Sequence, residues 1–305
     1  MPADSGRRLS AAQVADVVAL VDAAAAHDHV GPLSEQARLA VRHGGLGSHH
    51  LRYAGSRLAG YAHLDDGPAP AAELVVHPEH RRRGVASGLL ASLHEQVGPL
   101  LCWSHGRLPA AAAFAAARGY PAVRELLQLR RTLSTPLPAA ALPDGFHVRA
   151  FEVGRDEQAW LAVNAAAFAD HPEQARISLA DLRQREGEAW FDPAGFFLVE
   201  EDGDPPRLAA FHWTKVHPAT PVTEAVGEVY AIGVHPAYQG RGLGRAVTAI
   251  GVRHVAELGL GEAMLYVEAD NAAGLATYRR LGFEVAAVDV VYATAARPAD
   301  RSRGV

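Results

Sequence analysis

One short pattern occurs twice in this chain, and it restricts the possible fold more than any other feature of the sequence. Val76-His77-Pro78 recurs as Val234-His235-Pro236, and a glycine stands seven residues after each histidine, at Gly84 and Gly242. Landmarks that recur in the same order are typical of a chain that contains two copies of one folding unit. We therefore expect two domains of the same architecture, and a length of 305 residues suits two domains of ordinary size.

The segments around each His-Pro turn predict the secondary structure of this unit. Apolar residues at helical spacing extend over Gly84–Val97 and Leu243–Leu258, and each stretch follows an apolar strand, Glu73–Val76 or Glu228–Val234. Further strands are predicted at Met264–Val267 and Val285–Tyr292. Strand, loop and helix in repeated order predict an α/β fold of two tandem domains, each with a central mixed, twisted β-sheet flanked by helices.

The composition changes between the two copies. Leu133–Pro138 and Leu142–Gly145 together contain three prolines and one glycine, which favour an extended linker. We therefore predict an N-terminal domain over residues 1–138, a linker over 139–145 and a C-terminal domain over 146–305.

Composition narrows the class of protein. The net charge of -5 gives no basic field for nucleic acid or anionic lipid, and no run of eighteen apolar residues predicts a membrane span. No apolar signal core follows the first residues, and Cys102 is the only cysteine, so we expect a cytoplasmic protein. Because Cys102 lies in the apolar segment Leu100–Trp103, a packed thiol is expected there rather than a nucleophile. We further expect a monomer that acts on small molecules, and no metal, since no His-Glu-x-x-His or Cys-His cluster occurs.

The glycine-rich loop of the second copy predicts an anion site. Gln239–Gly244 lies between a strand and a helix, so the free N–H groups of the first helical turn converge on one point, and Arg241 and Arg245 can add charge. Such a site suits a pyrophosphate. The dinucleotide fingerprint does not match, because Arg245 stands where its third glycine belongs, and the Gly-Lys-Ser/Thr of nucleotide triphosphatases is absent.

The two loops and a later segment together carry a family resemblance. Arg81–Ala86 and Gln239–Gly244 each follow a strand that ends in Val-His-Pro, and Asn271–Phe283 contains an asparagine, a tyrosine and a Gly-Phe pair in order. This combination resembles the acetyl-CoA-binding motifs of the GNAT superfamily of N-acetyltransferases. The resemblance implies that acetyl-CoA is the co-substrate, that the strand before each loop pairs with the pantetheine arm, and that the tyrosine lies near the CoA sulfur.

This resemblance also implies which residues bind acetyl-CoA. In the first copy they are Leu74, Val75, Val76, Arg82, Arg83, Gly84, Val85, Ala86 and Ser87. In the second copy they are Ile232, Gly233, Val234, Gln239, Gly240, Arg241, Gly242, Leu243, Gly244, Arg245, Asn271, Ala272, Ala273, Gly274, Leu275 and Ala276.

A narrower resemblance covers nearly the full length. Gly31–Gln36, Ala72–Pro78, Arg124–Arg131, Asn164–Gln174 and Leu265–Asn271 are similar to segments of the mycothiol synthases, tandem GNAT enzymes of actinobacteria. The resemblance implies acetylation of the cysteine amine of cysteinyl-glucosaminyl-inositol, the last step of mycothiol biosynthesis. It places an acceptor site at Glu35, Glu173, Lys215, Glu228 and Tyr266, with Glu35 reaching across from the first domain. Lys215 is also the only lysine of the chain.

The two copies differ at the positions where acetyl transfer needs acid–base groups. Alignment of the His-Pro turns places Glu228 opposite Pro70, and alignment of Arg118–Tyr120 with Leu281–Phe283 places Tyr278 opposite Ala115. Only the second copy therefore has both a strand carboxylate and a phenol. By resemblance Glu228 is the general base, through water, and Tyr278 is the general acid toward the CoA sulfur, whereas the first copy is expected to be non-catalytic.

Two other functions remain open from the sequence. One is a GNAT enzyme that acetylates another small amine or a peptide N-terminus, and the other is a non-catalytic acetyl-CoA-binding module. The presence of Glu228 and Tyr278 together argues against the second of these.

Overall fold

The computed structural model describes residues 4–45, 47–169, 172–219 and 224–294, with the side chains of residues 4, 5, 172 and 173 left out. The chain forms two compact units, one of Met1–Leu126 with Ala287–Val305 and one of Leu127–Ala286. Among the helices of the described ranges, none is both long and apolar enough to cross a bilayer.

The sheet of the first unit is mixed. Its strands are β1 (Asp4–Gly6), β2 (Ser48–Ala54), β3 (Arg57–Asp65), β4 (Ala71–Val76), β5 (Leu101–Ser104) and, last in the chain, β12 (Glu284–Ala293). They lie in the order β1-β2-β3-β4-β5-β12. Neighbours are antiparallel except β4 and β5, which run parallel.

Helices cover both faces of this sheet. They are α1 (Ala11–Asp28), α2 (Glu35–His43), α3 (Val85–Val97) and α4 (Pro109–Ala116). Leu20 of α1 packs with Tyr61 of β3, whereas Leu89 of α3 packs with Leu64 of the same strand. Because strand side chains alternate between faces, the two helices bury opposite sides of β3. Ser10 begins α1 with a capping box that includes Gln13.

The second unit repeats this arrangement. Its strands are β6 (Ala122–Thr132), β7 (Phe146–Ala150), β8 (Phe196–Glu201), β9 (Arg207–His217), β10 (Val226–Val234) and β11 (Glu262–Glu268). The order is β6-β11-β10-β9-β8-β7, with β7 to β10 antiparallel in succession and β10 parallel to β11.

The helices of the second unit enclose an aromatic core. They are α5 (Glu157–Ala167), α6 (Pro172–Ala175), α7 (Leu179–Glu186), α8 (Leu243–Glu257) and α9 (Ala272–Arg280). Trp160 of α5 is fully buried and meets the rings of Phe196, Phe211 and Trp213 edge to face, at centroid distances of 5.6, 5.4 and 5.7 Å. Such rings bury large areas and fix the relation of α5 to β8 and β9.

The predicted α/β fold and its main elements are confirmed. The helices predicted after each glycine-rich loop are α3 and α8, and the strands predicted before them are β4 and β10. Cys102 lies half-buried in β5, where burial raises the pKa of its thiol to about 12, which disfavours the thiolate.

The compact units divide the chain differently from the sequence repeats. The predicted linker at 139–145 falls inside the second unit, whose sheet includes most of β6, and the first unit ends with the C-terminal part of β12. The physical reason is that the last strand of each sequence repeat makes most of its contacts within the unit formed by the other repeat. The linker at 139–145 stays a prediction about where the two repeats join.

Candidate active site

The two His-Pro turns have the same local structure. His77 Nδ1 accepts a hydrogen bond from Glu79 N at 3.3 Å, and His235 Nδ1 accepts one from Ala237 N at 3.2 Å. In each case the histidine side chain caps one turn of 3-10 helix whose first residue is a proline. The imidazoles are therefore structural caps that set the direction in which the chain enters the glycine-rich loop.

The residue after each turn ties the loop back to its strand. Arg81 Nε donates to Val76 O at 3.2 Å, and Gln239 Nε2 donates to Val234 O at 3.4 Å. The arginine of the first copy and the glutamine of the second thus perform the same task. The equivalence of the two loops that the sequence repeat predicts is therefore present in their hydrogen bonds.

Each loop then turns with left-handed backbone conformations. The φ angles are 80° at Gly84 and 84° at Gly242, which immediately precede α3 and α8, and 61° at Arg82 and 77° at Gly240. Glycine adopts such angles without steric cost, whereas arginine at position 82 does so with strain. The second loop, with glycine at both positions, is the less strained of the two.

Both helices begin without a side-chain cap. Gly84 and Gly242 have no side chain that could bind the first-turn N–H groups, which belong to residues 85–87 and 243–245. These donors and the positive end of the helix dipole can therefore bind an anion. Arg241 is exposed, and its guanidinium lies 5.1 Å from the Tyr238 ring centroid and makes long 3.5 Å contacts with Glu201 Oε1 and Ala237 O.

The strands that lead into the two loops, β4 and β10, pair with their parallel neighbours only over the first part of their length. β10 pairs with β11 over Gly227–Val229, and β4 pairs with β5 over Ala71–Glu73. The predicted pantetheine-binding segments, Ile232–Val234 and Leu74–Val76, lie beyond this pairing, although their other edges are bonded to β9 and β3. Their free edges can therefore pair with an extended ligand.

The segment from Asn271 to Ala276 forms the start of α9. Asn271 caps the helix, because its Oδ1 accepts a hydrogen bond from Gly274 N at 2.8 Å. A Cβ at Gly274 would lie 2.9 Å from Asn271 Nδ2, so a side chain at this position would require the Asn271 amide to shift. Leu275 is buried in the core, as is Leu243, so these two predicted acetyl-CoA contacts are available only through their backbone.

Glu228 is a buried carboxylate in the middle of the sheet. It lies on β10, is 7% exposed, and stands directly opposite Lys215 of β9. His217, two residues further along β9, has its Nε2 2.6 Å from Glu228 Oε2. A carboxylate enclosed in this way is a candidate general base, and the contact with His217 fixes its orientation.

A β-bulge corrects the predicted alignment of Glu228. The register of β10 on β9 shifts between Val229 and Ala231, whereas β4 pairs with β3 without a shift. Counting from the His-Pro turns, the extra residue in β10 places Glu228 at the position of Ala71 rather than Pro70. The contrast survives the correction, because the first copy has no carboxylate at either position.

Tyr278 lies at the C-terminal end of α9. Phe283 N donates to Tyr278 O at 3.0 Å, and Tyr120 N donates to Ala115 O at the same distance, so Tyr278 and Ala115 occupy equivalent places. Burial raises the pKa of Tyr278 to about 12, which keeps its hydroxyl protonated at neutral pH. The phenol is thus a hydrogen donor with no counterpart in the first copy.

Lys215 lies among aromatic rings. It is 7% exposed, and its Nζ is 4.3 Å from the Trp190 ring centroid and 5.2 Å from that of Tyr230. Arg185 Nε donates to the Tyr230 hydroxyl at 2.7 Å, which fixes that ring. The ammonium of the only lysine is thus held in a largely buried position over two ring faces.

The other predicted acceptor residues are placed as follows. Glu35 is the first residue of α2 in the first unit, where the preceding Ser34 caps the helix. Tyr266 is 40% exposed on β11 of the second unit, and its hydroxyl accepts a hydrogen bond from Gln128 Nε2 at 2.8 Å. The side chain of Glu173 lies outside the described residues.

Sequence reasoning missed the partner of Glu228. The predicted site did not include His217, and His212, on the same strand, is fully buried with its Nδ1 2.9 Å from Val247 O. The signal that could have found His217 is strand alternation, since Lys215 and His217 share one face of β9. Over the described ranges, no group of three or more His, Cys, Asp or Glu side chains could hold a metal ion.

Comparison with known proteins agrees with this geometry. Residues 160–283 match the model of the acetyltransferase (GNAT) family. The chain is 53% identical over 285 residues to a mycothiol acetyltransferase of Thermomonospora curvata, with 92% of this chain and 93% of the relative covered. It is 50% identical over 280 residues to that of Thermobispora bispora, with 90% and 94% covered. The chain belongs to the mycothiol acetyltransferase family.

The tandem arrangement of this member of the mycothiol acetyltransferase family also occurs in a solved structure. A tandem GNAT protein from the clavulanic acid biosynthesis pathway superimposes with a TM-score of 0.70 at 21% identity, covering 97% of this chain and all of the other. At that identity the likeness concerns the fold. Membership of the mycothiol acetyltransferase family makes the chain an acyltransferase enzyme, and the GNAT fold implies use of acetyl-CoA.

Proposed function

We propose that this protein transfers the acetyl group of acetyl-CoA to the cysteine amine of cysteinyl-glucosaminyl-inositol, the last step of mycothiol biosynthesis. The observation that carries the proposal is the 53% identity to a mycothiol acetyltransferase over 92% of the chain. The buried carboxylate and the protonated phenol of the second unit supply the acid–base groups that this reaction requires.

Glu228 is the general base of the proposed reaction. The acceptor amine has a pKa of roughly 8 in water, so it must lose a proton before its nitrogen attacks the thioester carbonyl. The carboxylate takes this proton through a water molecule. Its burial at 7% exposure limits competing protons from bulk solvent, and its position on β10 places it on the strand that leads to Ile232–Val234.

Tyr278 is the general acid. When the tetrahedral intermediate collapses, the C–S bond breaks and the sulfur of CoA takes up negative charge. The phenol of Tyr278 is protonated at neutral pH and donates its proton to the sulfur, which leaves as a thiol. Glu228 then carries one proton more than at the start and Tyr278 one proton fewer, and exchange with solvent restores both.

Acetyl-CoA binds to the second unit along β10 and α8 in this proposal. The backbone of Ile232–Val234 pairs with the pantetheine arm, and the N–H groups of residues 243–245 hold the pyrophosphate with help from Arg241. The first loop, with Gly84, has the same turn and helix start, so we propose that it also binds acetyl-CoA without chemistry.

The acceptor is a polyhydroxylated ligand with one amine, which calls for charged and hydroxyl partners because each desolvated hydroxyl must be paired again. We propose Lys215, Glu228 and Tyr266 of the second unit as its contacts, with Glu35 and Glu173 as further ones. We also propose that the protein is a monomer. We place it in the cytoplasm because acetyl-CoA is supplied there.

An assay of purified enzyme tests the proposal. Release of CoA thiol is measured with cysteinyl-glucosaminyl-inositol, with glucosaminyl-inositol that lacks the cysteine, and with spermidine and a short peptide as competing amines. We expect turnover with the first substrate only, and a product heavier by one acetyl group on the cysteine nitrogen. More efficient acetylation of spermidine or the peptide would overturn the acceptor assignment and leave the acetyltransferase standing.

A further inference from the structure

We infer that His217 completes the general base of this enzyme. Its ring holds the Glu228 carboxylate in place and carries the proton that Glu228 accepts on to solvent. The inference rests on the proposed function of Glu228 and extends it from a single carboxylate to a carboxylate–imidazole pair.

The contact between the two side chains is short and well placed. His217 Nε2 lies 2.6 Å from Glu228 Oε2, which is at the short end of hydrogen bonds between a nitrogen and a carboxylate. His217 ends β9, and Val226 of β10 is its register partner, so the imidazole reaches Glu228 diagonally across the antiparallel pair. The contact is therefore built by the strand pairing and not by a loop.

The different exposures of the two side chains indicate the direction in which a proton moves between them. The Glu228 side chain is 10% exposed and the His217 side chain is 33% exposed. Glu228 is thus the more enclosed of the two groups, whereas the imidazole of His217, with its proton on Nδ1, can take a proton at Nε2 and release the other from Nδ1. The proton of the acceptor ammonium thus passes to Glu228 and then to the unprotonated Nε2 of His217, and the ring releases its Nδ1 proton to solvent. The Nε2–H that remains donates to the Glu228 carboxylate, and exchange of the ring proton with solvent returns His217 to the tautomer with an unprotonated Nε2 before the next turnover.

Lys215, the charged group directly opposite Glu228, does not supply this route. The further ionisable side chains on β9, β10 and β11 are Arg207, His212, Lys215, Tyr230, Glu262, Tyr266 and Glu268. On the helices beside these strands, Glu157 accepts a hydrogen bond from Gly154 N and Arg185 donates to Tyr230. Lys215 stands opposite Glu228, but its ammonium lies over the Trp190 ring and is a cation that cannot accept a proton.

Two substitutions of His217 separate its two tasks. Glutamine at this position would keep a side-chain N–H toward Glu228 but has no proton to relay, whereas alanine removes both contacts. We therefore test His217→Gln and His217→Ala. The matched control is His147→Gln, because His147, on the edge strand β7 of the same unit, makes a similar 2.7 Å contact with Asp202. Thermal melting and acetyl-CoA binding show that each variant is folded.

The readouts are the pH profile of kcat/KM for the amine and rescue by added imidazole. We expect kcat to fall by roughly tenfold to a hundredfold in both His217 variants, with KM for acetyl-CoA unchanged and the acidic limb of the pH profile displaced relative to the wild type. Imidazole should restore part of the activity of His217→Ala in proportion to its concentration. The His147 variant should keep the wild-type profile.

The outcome that overturns the inference is a wild-type pH profile in both His217 variants without a response to imidazole. Failure of the proposed function has a different signature, since Glu228→Gln would then turn over as fast as the wild type. The same profiles can be recorded with any amine that the enzyme accepts, so the role of His217 is tested even if the acceptor is not the cysteinyl pseudodisaccharide.

Discussion

The imidazole of His105 lies 2.8 Å from the carboxylate of Asp289, although 184 residues separate the two in the chain. The other ring nitrogen lies 3.2 Å from Glu73 Oε2, and Glu73 also accepts hydrogen bonds from the backbone N and the hydroxyl of Ser34 at 2.5 and 2.6 Å. A histidine between two buried carboxylates therefore joins β4, β12 and the start of α2 within the first unit.

This network makes the stability of the protein dependent on pH. Burial alone would lower the pKa of His105, but its hydrogen bonds with Asp289 and Glu73 raise the pKa to about 10, above the ordinary value of 6.5. The contribution of His105 is therefore complete below about pH 6.5 and is lost as the pH rises toward 10. We expect the free energy of unfolding to fall by about 1–3 kcal/mol between pH 6.5 and 9.5.

Urea unfolding at several pH values checks this expectation. His105→Gln should be less stable at pH 6.5 and should lack most of the decline toward pH 9.5, because its amide does not titrate. A wild-type midpoint that stays constant over this range would show that His105 is not held protonated by the carboxylates.

Removal of either proposed acid–base group should lower the rate of acetyl transfer. Glu228→Gln and Tyr278→Phe should each reduce kcat by on the order of a hundredfold, with acetyl-CoA still bound. The matched control is Tyr53→Phe, which removes a hydroxyl bonded to Asp16 in the first unit and should leave kcat unchanged. Steady-state thiol release at saturating substrates is the measurement. Near-normal turnover in either variant would remove that residue from the mechanism.

Valine in the glycine-rich loops should distinguish the two acetyl-CoA sites. Gly242 has a φ of 84° and Gly84 one of 80°, so a β-branched residue strains either turn by about 1–2 kcal/mol and adds bulk beside the N–H groups. Gly242→Val should raise KM for acetyl-CoA at least about tenfold. Gly84→Val should affect turnover much less but remove one equivalent of bound CoA in titration calorimetry. A stoichiometry of one in the wild type would contradict binding by the first loop.

Substitution of Lys215 tests the acceptor site. Lys215→Ala should raise KM for the acceptor by roughly tenfold or more with a smaller loss of kcat, as expected when binding common to substrate and transition state is removed. Lys215→Arg should rescue only in part, because the planar guanidinium is larger than the ammonium and Lys215 is only 7% exposed beside the Trp190 ring. Lys215→Met keeps the apolar stem without the charge and separates packing from electrostatics. KM values for the acceptor that equal the wild-type value in all three variants would exclude the ammonium from acceptor binding.

Much of the fold was predictable because its signals are local. The His-Pro turns, Gly84 and Gly242, and the apolar spacing of α3 and α8 each depend on backbone preferences within a few residues, and their repetition predicted two units. The same comparison of the copies singled out Glu228 and Tyr278. The alignment of Glu228 was one residue out, because the bulge in β10 leaves no mark in the residue count from the turn.

The sequence by itself therefore determined the repeat, the glycine-rich loops and the side chains that distinguish the second copy. Only the tertiary structure decided which distant side chains meet: His217 with Glu228, His105 with Asp289, and Lys215 with Trp190. The reason is that periodicity and turn chemistry act along the chain, whereas strand register and strand order bring residues together across it. A shift of one residue in β10, or the placement of β12 in the first unit, changes these contacts without changing any local preference.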